Sequence, residues 1–173
     1  MSTLTTAALD VKKVADKDTI VIASEQCKTA LASVQNLVRN VFYMRPGQKK
    51  EFFGISVEAV PAYNVNKFQP SGIPFHPKAD GKNGYVVTIA GKRIYHAGDT
   101  DFIPEMRELK NIDIALLPVT GTYVMTAQEA ADAAKVIKPA VAIPMHYGSI
   151  VGSRADAERF AYLAKGIEVK ILG

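Results

Sequence analysis

The sequence has a single cysteine, Cys27, among 173 residues. One thiol cannot close an internal disulfide, so the chain is not a disulfide-stapled secreted domain, and the expected compartment is the cytoplasm. No apolar run reaches the roughly 18–20 residues that a membrane-spanning helix requires. The opening stretch MSTLTTAALDVKK has no apolar signal core. There is no block of one charge either. The net charge is +4, but Lys12, Lys13, Lys49, Lys50, Lys92 and Arg93 are scattered and interleaved with acids, which excludes a nucleic-acid footprint. Repeats, low-complexity tracts and linkers are missing, so a single domain over residues 1–173 is expected. G-x-S-x-G, G-x-x-x-x-G-K-[ST] and C-x-x-C are absent, which removes the serine-hydrolase, P-loop and thioredoxin-type readings.

What remains is an ordinary globular composition, 48% hydrophobic and 22% charged. AALDVKKVADK has a short helical pattern, and DTIVIAS reads as a buried strand. SEQCKTALASV predicts a helix with Ser24 as its N-cap. NVFYM, QKKEFFG and ISVEAVPAY predict strands joined by tight turns. The Pro- and Gly-rich residues 65–84 form a long loop, of the kind that often borders a site. YVVTIAGKRIYHAG predicts a hairpin turned at Ala90-Gly91. PEMRELK is a short helix, IDIALLPV a strand, and TAQEAADAAKVIK a helix opened by a Thr126/Glu129 capping box. AVAIPMH is a strand, SRADAERFAYLAKG a helix, and IEVKIL a closing strand. The first half is strand-rich and the second alternates strand and helix, so sheets flanked by helices are expected.

Chemistry-bearing residues are few. Asp99, in YHAGDTD, follows a strand on a Gly-Asp-Thr turn. It could ligate a metal or merely cap its own turn, the commoner role. His146, in PAVAIPMHYGS, ends an apolar strand, where α/β proteins gather their sites; taken alone, such a histidine is more often structural. His76, in the long loop, could swing over a site or be solvated. His96 is expected to point away from Asp99 and to pack. Asn64 ends another strand and could offer a carbonyl to a metal or form a turn. Tyr63, Tyr123 and Tyr147 could offer hydroxyls to a substrate or pack. Cys27 reads as a small buried apolar group.

In order along the chain, VEAVPAYN, FHPK…GYVV, RIYHAGDTDFIPEM, IDIALLPVTGTYVMTAQEAADAAKVIKP and AIPMHYGSIVGS closely resemble the metallo-β-lactamase fold superfamily, in its branch of small metal-dependent hydrolases related to the L-ascorbate-6-phosphate lactonases. The resemblance runs from about Ala8 to the end. It implies an α+β fold of αββα type, two sheets face to face with helices outside. It also implies zinc or manganese at the sheet edge, and a metal-bound hydroxide that attacks an ester, lactone, amide or phosphodiester. Asp99 matches the aspartate that bridges two metals, and His146 the last histidine ligand. Asn64 stands where many relatives carry another metal histidine, and His76 could compensate from the loop. The signature H-x-H-x-D-H of the family is absent, as are the strands that normally precede it, so the chain resembles the family from just after that motif. Catalytic zinc needs three protein ligands and an open position. The resemblance therefore implies a metal held substoichiometrically or not at all, and either an impaired hydrolase of a small-molecule substrate or a catalytically silent assembly module of the same fold. The absent layer would leave sheet edges and an apolar face uncovered, near DTIVIAS or SVEAVPAY, which predicts a homo-oligomer.

Overall fold

The computed structural model describes residues 11–172. Among these residues nine strands, interspersed with short helices, follow in the order β1 (Ile20–Ser24), β2 (Asn40–Met44), β3 (Lys49–Phe52), β4 (Ile55–Pro61), β5 (Asn83–Ile89), β6 (Lys92–His96), β7 (Ile114–Pro118), β8 (Val141–Met145) and β9 (Glu168–Val169). β1 and β2 form a parallel pair, and β3 to β9 form one seven-stranded sheet in sequence order. Its first half is antiparallel, while β6, β7, β8 and β9 run parallel. Three antiparallel connections use tight turns or one long loop. The parallel ones are crossovers that carry the 3-10 helix Pro104–Glu108 and then the helices Ala127–Ile137 and Arg154–Leu163.

Strand alternation sorts the core into two layers. Val86, Tyr95, Ala115, Leu117 and Ala142 point to one face and are buried against the two helices. The Ala127–Ile137 helix lies close because Ala130, Ala131, Ala133 and Ala134 present only methyl groups; Phe160 of the second helix fills the remaining space and is fully buried. On the other face, Val57 and Ala59 pack with Met44, Ile22, Tyr85 and Val87. The β1–β2 pair therefore lies on the β3–β5 end of the large sheet. Its outer side, Val21, Ala23, Val41 and Tyr43, is covered by Leu31, Val34 and Cys27. The layering is helix, sheet, sheet, helix, with a second sheet of two strands among the described residues. Beyond its reach Ile94, Leu116 and Ile143 stay only half-buried, whereas Tyr95, Ala115 and Ala142, their neighbours on the helix side, are sealed.

The helix expected over SEQCKTALASV is a broken one: a 3-10 turn at Glu25–Cys27, one α turn at Lys28–Leu31 and a 3-10 stretch at Ala32–Leu37. Ser24 makes no side-chain cap. It is the last residue of β1, and its hydroxyl lies 3.5 Å from Cys27 Sγ. The N-terminal helical pattern is seen at residues 11–14, and its earlier part lies outside the described residues. The β5–β6 hairpin turns at Ala90-Gly91, both at positive φ as a two-residue hairpin demands. The Thr126/Glu129 capping box is present. Of the two segments expected to carry an open edge, β4 in SVEAVPAY is flanked by β3 and β5, while β1 in DTIVIAS has β2 on one side only among the described residues.

Close backbone approach sets one sharp constraint. A Cβ on Gly84 would stand 2.7 Å from the Ala97 carbonyl oxygen and 2.8 Å from that of His96. Gly84→Ala is expected to push the end of β6 away and cost about 1–3 kcal/mol of stability in urea unfolding; a neutral substitution would contradict that packing.

Candidate metal centre

The topology brings several chain turns to one edge. β6, β7 and β8 are parallel, so Asp99, Thr120 and His146 follow strand ends on the same side. β5 starts there and β4 ends there, because each is antiparallel to its neighbour. Asn64, the loop that bears His76, and Lys82 therefore border the same edge, where open α/β sheets bind ligands.

Asp99 is bracketed by two imidazoles. His76 Nε2 stands 3.6 Å from its Oδ2 and His146 Nε2 stands 3.6 Å from its Oδ1. These separations exceed a hydrogen bond. They match the spacing of about 3.4 Å between two donors on one tetrahedral ion with bonds of about 2.1 Å. The rings face different oxygens of the carboxylate, and no group of three His, Cys, Asp or Glu among the described residues makes a cage for one ion. Asp99 thus presents one carboxylate oxygen to each imidazole. The chemistry of the donors fits zinc or manganese, and a buried ring nitrogen, His76 Nε2, lacks a hydrogen-bond partner among the described residues.

Each group is held by local structure. Gly98 takes φ +70°, and a Cβ there would stand 2.9 Å from the Asn83 carbonyl oxygen, so glycine is what lets the chain make the turn that carries Asp99. Gly98→Ala is expected to lower stability by about 1–2 kcal/mol and to displace Asp99. Unchanged unfolding together with unchanged ring shifts for His76 and His146 would contradict this. His146 itself takes φ +62°, a left-handed conformation uncommon for non-glycine residues and concentrated at functional sites. Its Nδ1 lies 3.4 Å from Thr120 Oγ1. Beside it opens a cleft lined by Ile143, Met145, Tyr147, Ser153, Arg154 and Leu172.

His76 is buried, at 6% exposure. Burial and then the Lys82 charge depress its pKa from the usual histidine value, against the pull of Asp99. Lys82 Nζ stands 2.8 Å from its Nδ1. Asn64 is committed elsewhere. Its Oδ1 accepts the His76 backbone N–H at 2.8 Å, and its Nδ2 donates to Asp101 Oδ1 at 3.1 Å and to the Tyr123 carbonyl at 2.9 Å. These three bonds make Asn64 a pin for the loop, with one Oδ1 lone pair engaged by the His76 N–H. His96 does not pack as expected: it is exposed, and its Nδ1 accepts the Gly98 N–H at 3.2 Å. Tyr63 is buried and donates to Glu105 at 2.9 Å, Tyr147 donates to the Leu172 carbonyl, and Tyr123 stacks edge-on against Phe75.

Three residues that support the site escaped the sequence reading. Thr100 is fully buried; its hydroxyl accepts the Tyr63 N–H, and its Oγ also lies within bonding distance of the Tyr63 and Asp101 carbonyls. Asp101, also fully buried, accepts Val65 N–H at 2.8 Å, Asn66 N–H at 2.9 Å and Asn64 Nδ2, with Lys67 Nζ at 3.5 Å. Lys67 also binds both Glu129 oxygens, at 3.0 and 2.9 Å, which ties the loop to the capping box of the Ala127–Ile137 helix. The one signal in the sequence was the second acid of Gly-Asp-Thr-Asp.

Burial raises the Glu129 pKa, but hydrogen bonds from Lys67, the Thr126 N–H and Asn66 outweigh it, and the net pKa is lowered. A carboxyl whose folded pKa is depressed stabilises the fold above its unfolded value and loses that contribution as pH falls through the folded one. Glu129→Gln is therefore expected to cost about 1–2 kcal/mol at neutral pH and to flatten the fall in thermal stability below about pH 4. Equal acid slopes for both proteins would contradict this.

Residues 5–146 match the model of the Beta-lactamase superfamily domain, and the chain belongs to that family. It is 40% identical over 124 residues to a UPF0173 metal-dependent hydrolase of Thermoplasma acidophilum, covering 70% of this chain and 52% of that protein. It is 37% identical over 158 residues to one of Natranaerobius thermophilus, covering 88% and 64%. Among solved structures, a protein of Parabacteroides distasonis assigned to the metal-dependent hydrolases superposes with TM-score 0.75 at 35% identity, over 93% of this chain and 67% of that one. A metallo-β-lactamase superfamily protein of Thermotoga maritima gives TM-score 0.60 at 23% identity, over 88% and 80%, which shows the fold alone. The chain spans about half to two thirds of the length of the curated relatives it matches. The fold expected from the sequence motifs, of metallo-β-lactamase type, is the one observed.

Proposed function

We propose that this chain carries the Asp99–His146 portion of a metal-dependent hydrolase centre. The supporting observation is that Asp99 Oδ1 faces His146 Nε2 at 3.6 Å, across strand ends that the parallel sheet brings to one edge. Asp99 and His146 would hold zinc or manganese. When bound, such an ion supplies a Lewis acid and lowers the pKa of water. Asp99 offers two carboxylate oxygens, His146 a ring nitrogen placed by its left-handed backbone, and the cleft beside His146, with Ser153 and Arg154 in its lining, would receive a small-molecule ester, lactone, amide or phosphodiester. With few ligands of its own, the chain is expected to hold the ion substoichiometrically and to hydrolyse slowly. Metal analysis of the purified protein tests this: zinc or manganese that is lost in both Asp99→Ala and His146→Ala supports it, and equal metal in the variants contradicts it.

The second reading, a catalytically silent assembly module, is favoured by the lack of a three-ligand cage among the described residues. Either reading accommodates a homo-oligomer formed over the open β1 edge and the half-buried Ile94, Leu116 and Ile143, in a cytoplasmic setting. Light scattering should give at least a dimer mass; a clean monomer at high concentration contradicts that assembly. No helix among the described residues is long and apolar enough to cross a membrane.

A further inference from the structure

His76 and Lys82 together carry information about the site that ligand counting does not. The His76 side chain is only 7% exposed. Its backbone is fixed on both sides, with its N–H on Asn64 Oδ1 and its carbonyl accepting the Asn64 N–H, each at 2.8 Å. The ring therefore cannot swing freely, and its two nitrogens have different surroundings. Nδ1 is 2.8 Å from Lys82 Nζ. Nε2 faces Asp99 and has no hydrogen-bond partner among the described residues.

An ammonium has three donors and no lone pair to offer. At this distance Nδ1 must be the acceptor, and a neutral imidazole that accepts at Nδ1 carries its proton on Nε2. A metal-ligating histidine needs the opposite tautomer when it binds through Nε2. It requires a lone pair on Nε2 and a proton on Nδ1, given to a carboxylate or carbonyl. Lys82 is the wrong partner for a ligand. It is the right partner for a donor.

We propose that His76 is a substrate-binding hydrogen-bond donor, locked by Lys82 in its Nε2–H form, which grips a carbonyl or phosphoryl oxygen of the ligand held at Asp99. This deepens the reading of Asp99 and His146 as cation ligands and rests on it for the ligand's location. It withdraws His76 from the set of metal-binding residues. It also gives the buried Nε2 proton, otherwise left unbonded at a free-energy cost, a partner when the site is filled. Lys82 is a positioning residue: it acts through the ring and not on the ligand.

Long-range proton–nitrogen NMR of the full-length ¹⁵N-labelled protein reads the tautomer directly. The expected His76 pattern is Nε2–H, unchanged on addition of zinc, while the His146 ring signals move. Inorganic phosphate added to the zinc-loaded protein should shift the His76 Nε2 proton. Lys82→Met should redistribute the ring toward Nδ1–H and weaken phosphate at least tenfold. His76→Gln, which keeps a donor, should leave zinc affinity within threefold. An Nδ1–H tautomer in the wild type, loss of the Nε2 proton on zinc addition, a phosphate titration that leaves that proton unmoved, or a tenfold fall in zinc affinity in His76→Gln would overturn the proposal. If zinc fails to move His146, the cation reading of the site falls by itself, and the tautomer with its response to Lys82→Met still decides the role of His76.

Discussion

Asp101→Ala is expected to destabilise the protein by about 3–5 kcal/mol, the largest stability effect of any single polar substitution considered for this fold. The Asp101 carboxylate has no solvent exposure, and it accepts the Val65 and Asn66 backbone N–H groups and Asn64 Nδ2. The Lys67 ammonium, whose side chain is only 12% exposed, stands 3.5 Å away. Removing the acid strands three donors and leaves a buried cation with one fewer counter-charge. Burying a charge or donor without its partner is the costly case, far more so than losing a surface pair. Lys67 retains Glu129, which keeps the cost from rising further. For a domain of this size each kcal/mol moves the melting temperature by about 2–4 °C, so a fall of about 6–20 °C is expected. The loop should loosen as well, because Asn64 links Asp101 to the His76 backbone. Amide hydrogen exchange should rise most in residues 64–76. A melting temperature within about 2 °C of wild type would contradict this description of the Asp101 contacts.

Asp99→Asn is expected to weaken zinc binding at least about 100-fold while leaving the fold intact. The side chain is about a third exposed and holds nothing together that the fold needs. Its Oδ atoms make no hydrogen bond short enough to count. The loss is therefore one of charge and ligand capacity: an amide offers one weak oxygen where the carboxylate offered two anionic ones. Calorimetric zinc titration of wild type and variant, with thermal melts in parallel, checks it. Equal zinc affinity would contradict the assignment of Asp99. A large fall in stability would show that the residue is structural.

Much of this architecture was readable from local pattern. The β-branched runs of β1, β4, β7 and β8, the Ala90-Gly91 hairpin and the Thr126/Glu129 capping box follow from residues within a few positions of one another. Where a short segment had competing local options, the reading failed. Ser24 could cap a helix or end a strand, and pairing with Met44 decided for the strand. The following residues then had too few positions for more than broken turns. Asp99, His76 and His146 were visible as isolated strand-end or loop residues, and it is the parallel order of β6, β7 and β8 that brings two of them to one edge. The partners that define the site were not visible. Asp101 acts on residues 35–37 positions away, and no local period encodes that. Lys82 is six residues from His76, but only the folded loop places its ammonium against Nδ1. Asn64 was readable as a strand-end residue that could ligate or turn, but its bonds to the His76 backbone, Asp101 and the Tyr123 carbonyl were not.

The central claim is that a carboxylate and an imidazole 47 positions apart, Asp99 and His146, share one cation. Crystals of the full chain soaked in zinc and measured on both sides of the zinc absorption edge test it most directly. The account predicts an anomalous peak within bonding distance of Asp99 Oδ1 and His146 Nε2, absent in His146→Ala. A zinc-soaked crystal with peaks elsewhere and none between these two side chains would contradict it.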